Sequence, residues 1–370
     1  RVAANLQGIW NEQMWAPWEA DYHLNINLQM NYWPADVCNL PETLEPLTDW
    51  FERVCDKGRN SASRLYGADG WVAFTTVDLF GRTTPGGSTL KSQFENGVLD
   101  PLAGAWMAMT LWDHYDFTRS EPFLRERAYP VLRGAAAFLL DYLIEDRQGR
   151  LTVIPSTSPE NSYIDPATGR ATRVTHGSTY HLSVTRAVFE AVIQSSAILS
   201  IDEEFRRTVQ RALELLPAPT AGANGALREW QADFQEREPG HRHMSHLLGL
   251  HPFAQITPRT PELFEAARQA VQRRIEHGGG QTGWSRAWLV SFHARLLNGN
   301  AAREDLMALI RGGAHLNFFG VDSIFQIDAY FAGTAGLAEM LLQSRLSGSH
   351  LPPPVPPARP AGAGPRPQTP

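Results

Sequence analysis

Apolar residues recur at three- and four-residue spacing along most of this chain, the period of a helix with one buried face. The pattern predicts helices over residues 41–58, 101–116, 122–145, 181–199, 202–215, 260–276, 284–298, 301–311 and 328–346. Ala, Leu, Glu and Arg, all good helix formers, dominate many of them. In Glu121–Asp146 the residues that can share a core-facing stripe include Phe123, Leu124, Val131, Leu132, Phe138 and Leu139. Pro130 falls inside that stretch. It has no N–H and its ring crowds the preceding turn, so it is expected to kink the helix or split it in two. Pro261 sits at a helix start, where a missing N–H costs nothing. Period-two alternation survives only in short pieces such as Leu151–Ile154. The expected class is all-α, with helices joined by loops rich in Gly, Pro, His and Trp and no repeat at a fixed period.

Composition narrows this mildly. The 370 residues suffice for one large domain or two ordinary ones. A net charge of −6 and a pI near 6.1 argue against a nucleic-acid partner. No run approaches the length expected of a membrane-spanning helix. Cys38 and Cys55 show neither a disulfide framework nor metal-ligand spacing. Residues Leu351–Pro370 hold nine Pro, so 347–370 is expected to be a disordered tail behind one domain at 1–346. The chain starts at Arg1, so its compartment stays open.

The candidate chemistry lies in the loops. Asp21–Pro34 packs amides, an imidazole, a carboxylate and aromatic rings into one segment, the side chains that hold sugar hydroxyls and the apolar face of a sugar ring. Ser156-Thr157-Ser158-Pro159-Glu160-Asn161-Ser162 sets a carboxyl among small hydroxyl residues. That suits a proton donor kept protonated by partial burial, or a helix start with Ser158 as cap and Pro159 in the first turn. Gly240–His246 holds three His and one Arg, which fits hydroxyl contacts, polar packing or, less well, a metal. In Gly278–Trp288 a tight turn is expected to carry Trp284 or Arg286 toward a pocket, with Trp284 and Trp288 as core residues the competing reading. Asp328 opens the last helix, as an N-cap or as a carboxylate beside aromatic rings.

Taken together these segments resemble glycoside hydrolase family 95, whose main activity is α-L-fucosidase. The matching text is Asn5–Asn11, Asp21–Pro34, Ser156–Asn161, Glu238–Leu247, Gly278–Trp288 and Gln326–Asp328, spread over residues 5–346. The resemblance implies an (α/α)₆ barrel, here expected to lack its first helix and the flanking β domains. It implies inversion at the anomeric carbon. Glu160 is then the proton donor, Asn25 and Asn27 hold the attacking water, and Asp328 polarises one of those amides. His23, Arg242 and His243 are implied to contact the sugar. Neither metal nor cofactor is implied, and the partner would be a fucosylated oligosaccharide, with a 1,2-linkage expected. His23 favours fucose, because an imidazole edge can pack against the C6 methyl.

Three segments depart from the family's common text: Phe74–Phe80, Thr179–Leu182 and Ala329–Ala332. All three are expected at the pocket or its rim, where they would alter the aglycone or the sugar. The competing readings are an α-L-galactosidase of the same family, a glycoside phosphorylase, and an inactive sugar-binding remnant.

Overall fold

The computed structural model describes residues 2–85, 100–317, 319–320, 324–345 and 348–350. The tail expected at 347–370 lies almost wholly outside them. The helices are α1 (Asn27–Tyr32), α2 (Pro34–Val37), α3 (Glu45–Tyr66), α4 (Ala103–Thr118), α5 (Tyr129–Tyr142), α6 (Thr179–Leu199), α7 (Glu203–Leu215), α8 (Pro261–Glu276), α9 (Gly283–Arg295), α10 (Gly299–Gly313) and α11 (Asp328–Leu341). They form an all-α toroid. Helices α9, α10 and α11 pack together, and α11 also packs against α1, which brings the two ends of the described chain side by side. The centre is dense with rings: Trp50, Trp106, Trp288, Tyr180, Phe189 and Phe292 are fully buried.

Most expected helices appear within a few residues of their predicted bounds. Helix α3 runs well past residue 58. It ends where Gly67 takes a left-handed φ of 64° and its N–H reaches back to Ser63 O (3.0 Å), an αL-type stop. The last helix stops at Leu341 instead of 346, and a strand at Gln343–Arg345 follows. Pro130 is accommodated by a π-helical segment, Leu124–Ala128. There Tyr129 N bonds Leu124 O, five residues back, so the stretch is split as expected. Pro261 does sit at the start of α8.

Two expectations need correction. Helix α6 is 21 residues long and apolar enough to cross a membrane by length and composition, so a run of that length does exist. It is 67% buried among its neighbours and packs against α4, α5 and α7, the position of a central core helix. The helix start suggested at Ser158–Glu160 does not form; Pro159 and Glu160 sit in a turn.

Short ladders pin the loops. Tyr22–His23 (β1) pairs antiparallel with Thr76–Val77 (β2). Tyr163–Ile164 is the middle strand between Ala171–Thr172 and Gln235–Glu236. Cys38 and Cys55 are free thiols. An apolar groove of about 660 Å³ opens beside the N-terminal segment, lined among others by Ala3, Tyr22, Tyr32, Ala35 and Phe331.

Helix α5 meets the Gly70–Trp71 segment at very close range. Trp71 Nε1 donates to Val131 O (2.8 Å), and a Cβ on Gly134 would lie 2.5 Å from the Trp71 ring. Gly134→Ala should therefore overpack the contact and destabilise the fold by roughly 1–3 kcal/mol. Urea denaturation checks this, and an unchanged midpoint would contradict it.

Candidate active site

The segment after β1 alternates strictly. Leu24, Ile26 and Leu28 are at most 1% exposed and anchor in the core. The residues alternating with them, His23, Asn25 and Asn27, turn the other way: His23 and Asn27 line a cleft, and Asn25 Nδ2 faces Glu160 Oε1 at 3.4 Å. Leu24 N extends the ladder by donating to Thr75 O (2.7 Å), so this alternation is fixed before α1 begins. The remaining amides of the run do different work. Gln29 Nε2 donates to Leu24 O and Asn31 Nδ2 to the carbonyls of Ala4 and Asn5, so these two tie backbone instead of facing the cleft.

The other wall comes from far along the chain. Asp328 is the first residue of α11, with Ile327 as N-cap. Its Oδ2 accepts from Asn27 Nδ2 at 2.5 Å, across 301 residues of sequence. Its Oδ1 accepts from Ala329 N (2.7 Å). Glu160 is held by Arg242, whose guanidinium reaches Oε2 at 2.6 Å, with His243 Nε2 at 3.5 Å from the same oxygen. The partly buried carboxyl expected for a proton donor is there, with 15% of its side chain exposed. The setting is more polar than expected, because a guanidinium is a partner that a carboxylate prefers. Trp284 enters at the first turn of α9. That helix starts with Thr282 N donating to Ser285 Oγ (3.3 Å), and the Trp284 ring meets His243 edge-on at 4.6 Å.

The cleft holds about 210 Å³. That is below the ~300–1,000 Å³ typical of sites for drug-sized ligands and suits a single sugar ring. His23, Asn27, Glu160, Arg242, His243 and Trp284 all line it. Asn25 reaches it through Glu160, and Asp328 stands behind Asn27. Arg286 turns away to pair with Asp305 (2.8 Å), and Trp288 is core. Among the described residues, Asn25 Oδ1 and His243 Nδ1 are buried without a hydrogen-bond partner.

The description "Glycosyl hydrolase family 95 catalytic domain" matches residues 1–341. The chain belongs to this family. It is 38% identical over 366 residues to the alpha-L-fucosidase 2 of Arabidopsis thaliana, an alignment that spans 95% of this chain and 42% of that protein. It is 31% identical to an Aspergillus niger protein named probable alpha-fucosidase A, across 92% of this chain and 43% of the relative. The chain thus spans under half the length of these relatives. Among solved structures, a human-microbiome protein named for a kojibiose phosphorylase superposes with a TM-score of 0.62 at 8% identity, covering 94% of this chain and 53% of that one, a likeness of fold.

Within this family-95 domain, the three departing segments do not line the cleft. Thr75 Oγ1, Tyr180 OH and His181 Nε2 all converge on buried Asp100, at 3.3, 3.3 and 3.0 Å. His181 Nδ1 also meets Ser156 Oγ at 2.8 Å, so the group backs the loop that carries Glu160. Phe331 faces the apolar groove instead. Sequence reasoning missed Trp18, Leu6, Thr282 and Ile324 as lining residues. Trp18 begins a run of three positive φ values, Trp18, Glu19 and Ala20, which no local pattern announces.

Burial disfavours the charged form of His23, His241, His243 and His246. It lowers His23, and lowers His243 further with help from Arg242. His241 is pushed down to about 2 by burial, then by His243 and Arg242, and His246 to about 3 by burial, then by Arg274. The unfolded chain protonates these groups near pH ~6.5, so the stability they contribute is intact above that and is lost as pH falls toward 3. Burial raises Asp21 to about 7 and Asp113 to about 8; these act oppositely and lose their contribution as pH rises through those values. His246→Gln should flatten the fall of unfolding free energy by up to about 1.4 kcal/mol per pH unit between roughly pH 6 and 4. Denaturant titrations at a series of pH values measure it; an unaltered slope would refute the buried neutral imidazole.

Proposed function

We propose that this domain hydrolyses α-L-fucosides with inversion, the sugar sitting in the 210 Å³ cleft. The observation that carries the reading is the bond from Asn27 Nδ2 to Asp328 Oδ2, in a cleft that Glu160 also lines. An amide is a feeble base, since only its carbonyl oxygen accepts. A carboxylate on its N–H₂ makes that oxygen more negative and fixes which way it points. Asn27 Oδ1, with Asn25, then grips a water molecule on one face of the sugar, and Glu160 stands at the leaving oxygen.

In the reaction, a proton passes from the Glu160 carboxyl to the glycosidic oxygen as the bond from C1 to that oxygen breaks. The water oxygen bonds C1 from the opposite face, and its proton leaves through the Asn27 amide oxygen to solvent. Glu160 regains a proton from solvent. Arg242 and His243 turn to ring hydroxyls when the sugar enters, which frees the carboxyl to take up its proton. His23 packs its ring edge on the C6 methyl, and Trp284 offers an apolar wall. Inverting enzymes leave roughly 6.5–9.5 Å between their two working carboxyl groups for the water. Here an amide stands between Asp328 and that water. The names of the Arabidopsis and Aspergillus relatives support fucose as the sugar.

Proton NMR of 2′-fucosyllactose with the purified protein tests the reading. Free fucose should appear as the β anomer first, without added phosphate. Activity on the α-L-galactosyl analogue alone would replace fucose with galactose, and binding without turnover would leave a sugar-binding remnant. Glu160→Gln, Asn27→Ala and Asp328→Asn should each cut kcat by roughly 10²–10⁴-fold. A variant with near-full turnover would remove that residue from its role.

A further inference from the structure

Glu160 hangs from a loop, yet proton delivery along one line requires placement within a fraction of an ångström. Glu229, only 5% exposed, grips that loop on both sides. Its Oε1 accepts from Ser158 Oγ (2.7 Å) and its Oε2 from Asn161 Nδ2 (2.9 Å), the residues two before and one after Glu160. Oε2 also accepts from Arg274 Nη2 at 2.6 Å. Arg274, from α8, reaches the other way with Nη1, to Glu236 Oε2 (2.7 Å) and to the carbonyls of Glu238 (3.2 Å) and Pro239 (2.9 Å). Those carbonyls directly precede Gly240–His246, the run that carries Arg242 and His243, the partners of Glu160. The Glu229–Arg274 pair therefore spans both loops that converge on the carboxyl.

We infer that Glu229 and Arg274 are positioning residues, a clamp that sets the line of the Glu160 carboxyl against the leaving oxygen. Neither lines the cleft. A buried ion pair is a weak source of net stability, because desolvation offsets the attraction. What this pair does supply is registry, since its hydrogen bonds go mainly to the two loops that bear Glu160, Arg242 and His243. The inference rests on Glu160 being the proton donor.

Leaving groups separate positioning from plain stability. A sugar leaving group needs the proton; an activated aryl fucoside, whose phenolate departs unaided, does not. Glu229→Gln keeps the volume but loses an acceptor for Asn161 or Arg274. It should lower kcat on 2′-fucosyllactose by about 10²-fold, against less than about tenfold on the aryl fucoside, with KM little changed. Ser158→Ala, which spares the ion pair, should show a smaller loss with the same preference. Equal losses on both substrates would overturn the clamp. If Glu229→Gln does not fold, Ser158→Ala and Asn161→Ala decide by the same comparison. Glu160→Gln, run alongside, must itself spare the aryl substrate: if it does not, the donor assignment and the clamp fall together, and if it alone does, only the clamp fails.

Discussion

The hydrogen bond between Asn27 and Asp328 is the contact on which this structure turns. It joins the first helix of the described chain to the last, and a backbone bond from Ile327 N to Leu6 O (3.1 Å) lies beside it. A charged acceptor makes such a bond roughly twice as strong as a neutral pair, and both side chains are buried, so water competes little. The same contact closes the ring of helices and orients an amide into the cleft. Fold and chemistry are therefore not separable at this point: a change that loosens the closure also turns the amide.

The helices were legible because burial imposes a period that the sequence must carry. Their ends were less so. Helix α3 runs on through Arg59 and Arg64 because Gly67 alone supplies the left-handed stop, and the extent of α11 depends on the strand that follows it. Among the site residues, Glu160, Asn25, Asn27, Asp328, His23, Arg242, His243 and Trp284 could all be picked out by residue type and by family resemblance, and the structure gathers them around one cleft. Gln29 and Asn31 show the limit of residue type, since amides of the same run serve the backbone. Trp18, Glu229 and Arg274 left no local trace. Their positions follow from contacts across 45 residues or more, or from a turn with unusual φ, and neither has a sequence period.

The polar groups around the cleft come in two layers. Nearest the cavity stand the imidazoles of His23 and His243, which present fixed hydrogen-bonding edges, beside the Glu160–Arg242 pair. Behind them lie a carboxylate with its guanidinium on one side and Asp100 with His181 on the other. Buried polar groups are costly unless all are paired, and once paired they admit few alternative packings. The departures at Thr75 and at Tyr180–His181 belong to this rear layer. They share one acceptor, Asp100, and none of them lines the cleft.

Because the amide at position 27 waits on a carboxylate 301 residues downstream, a nascent chain emerging from a ribosome carries the residues that line the cleft before it carries the group that orients that amide. The Asn27 side chain is then held in place only once α11 has been made and docked.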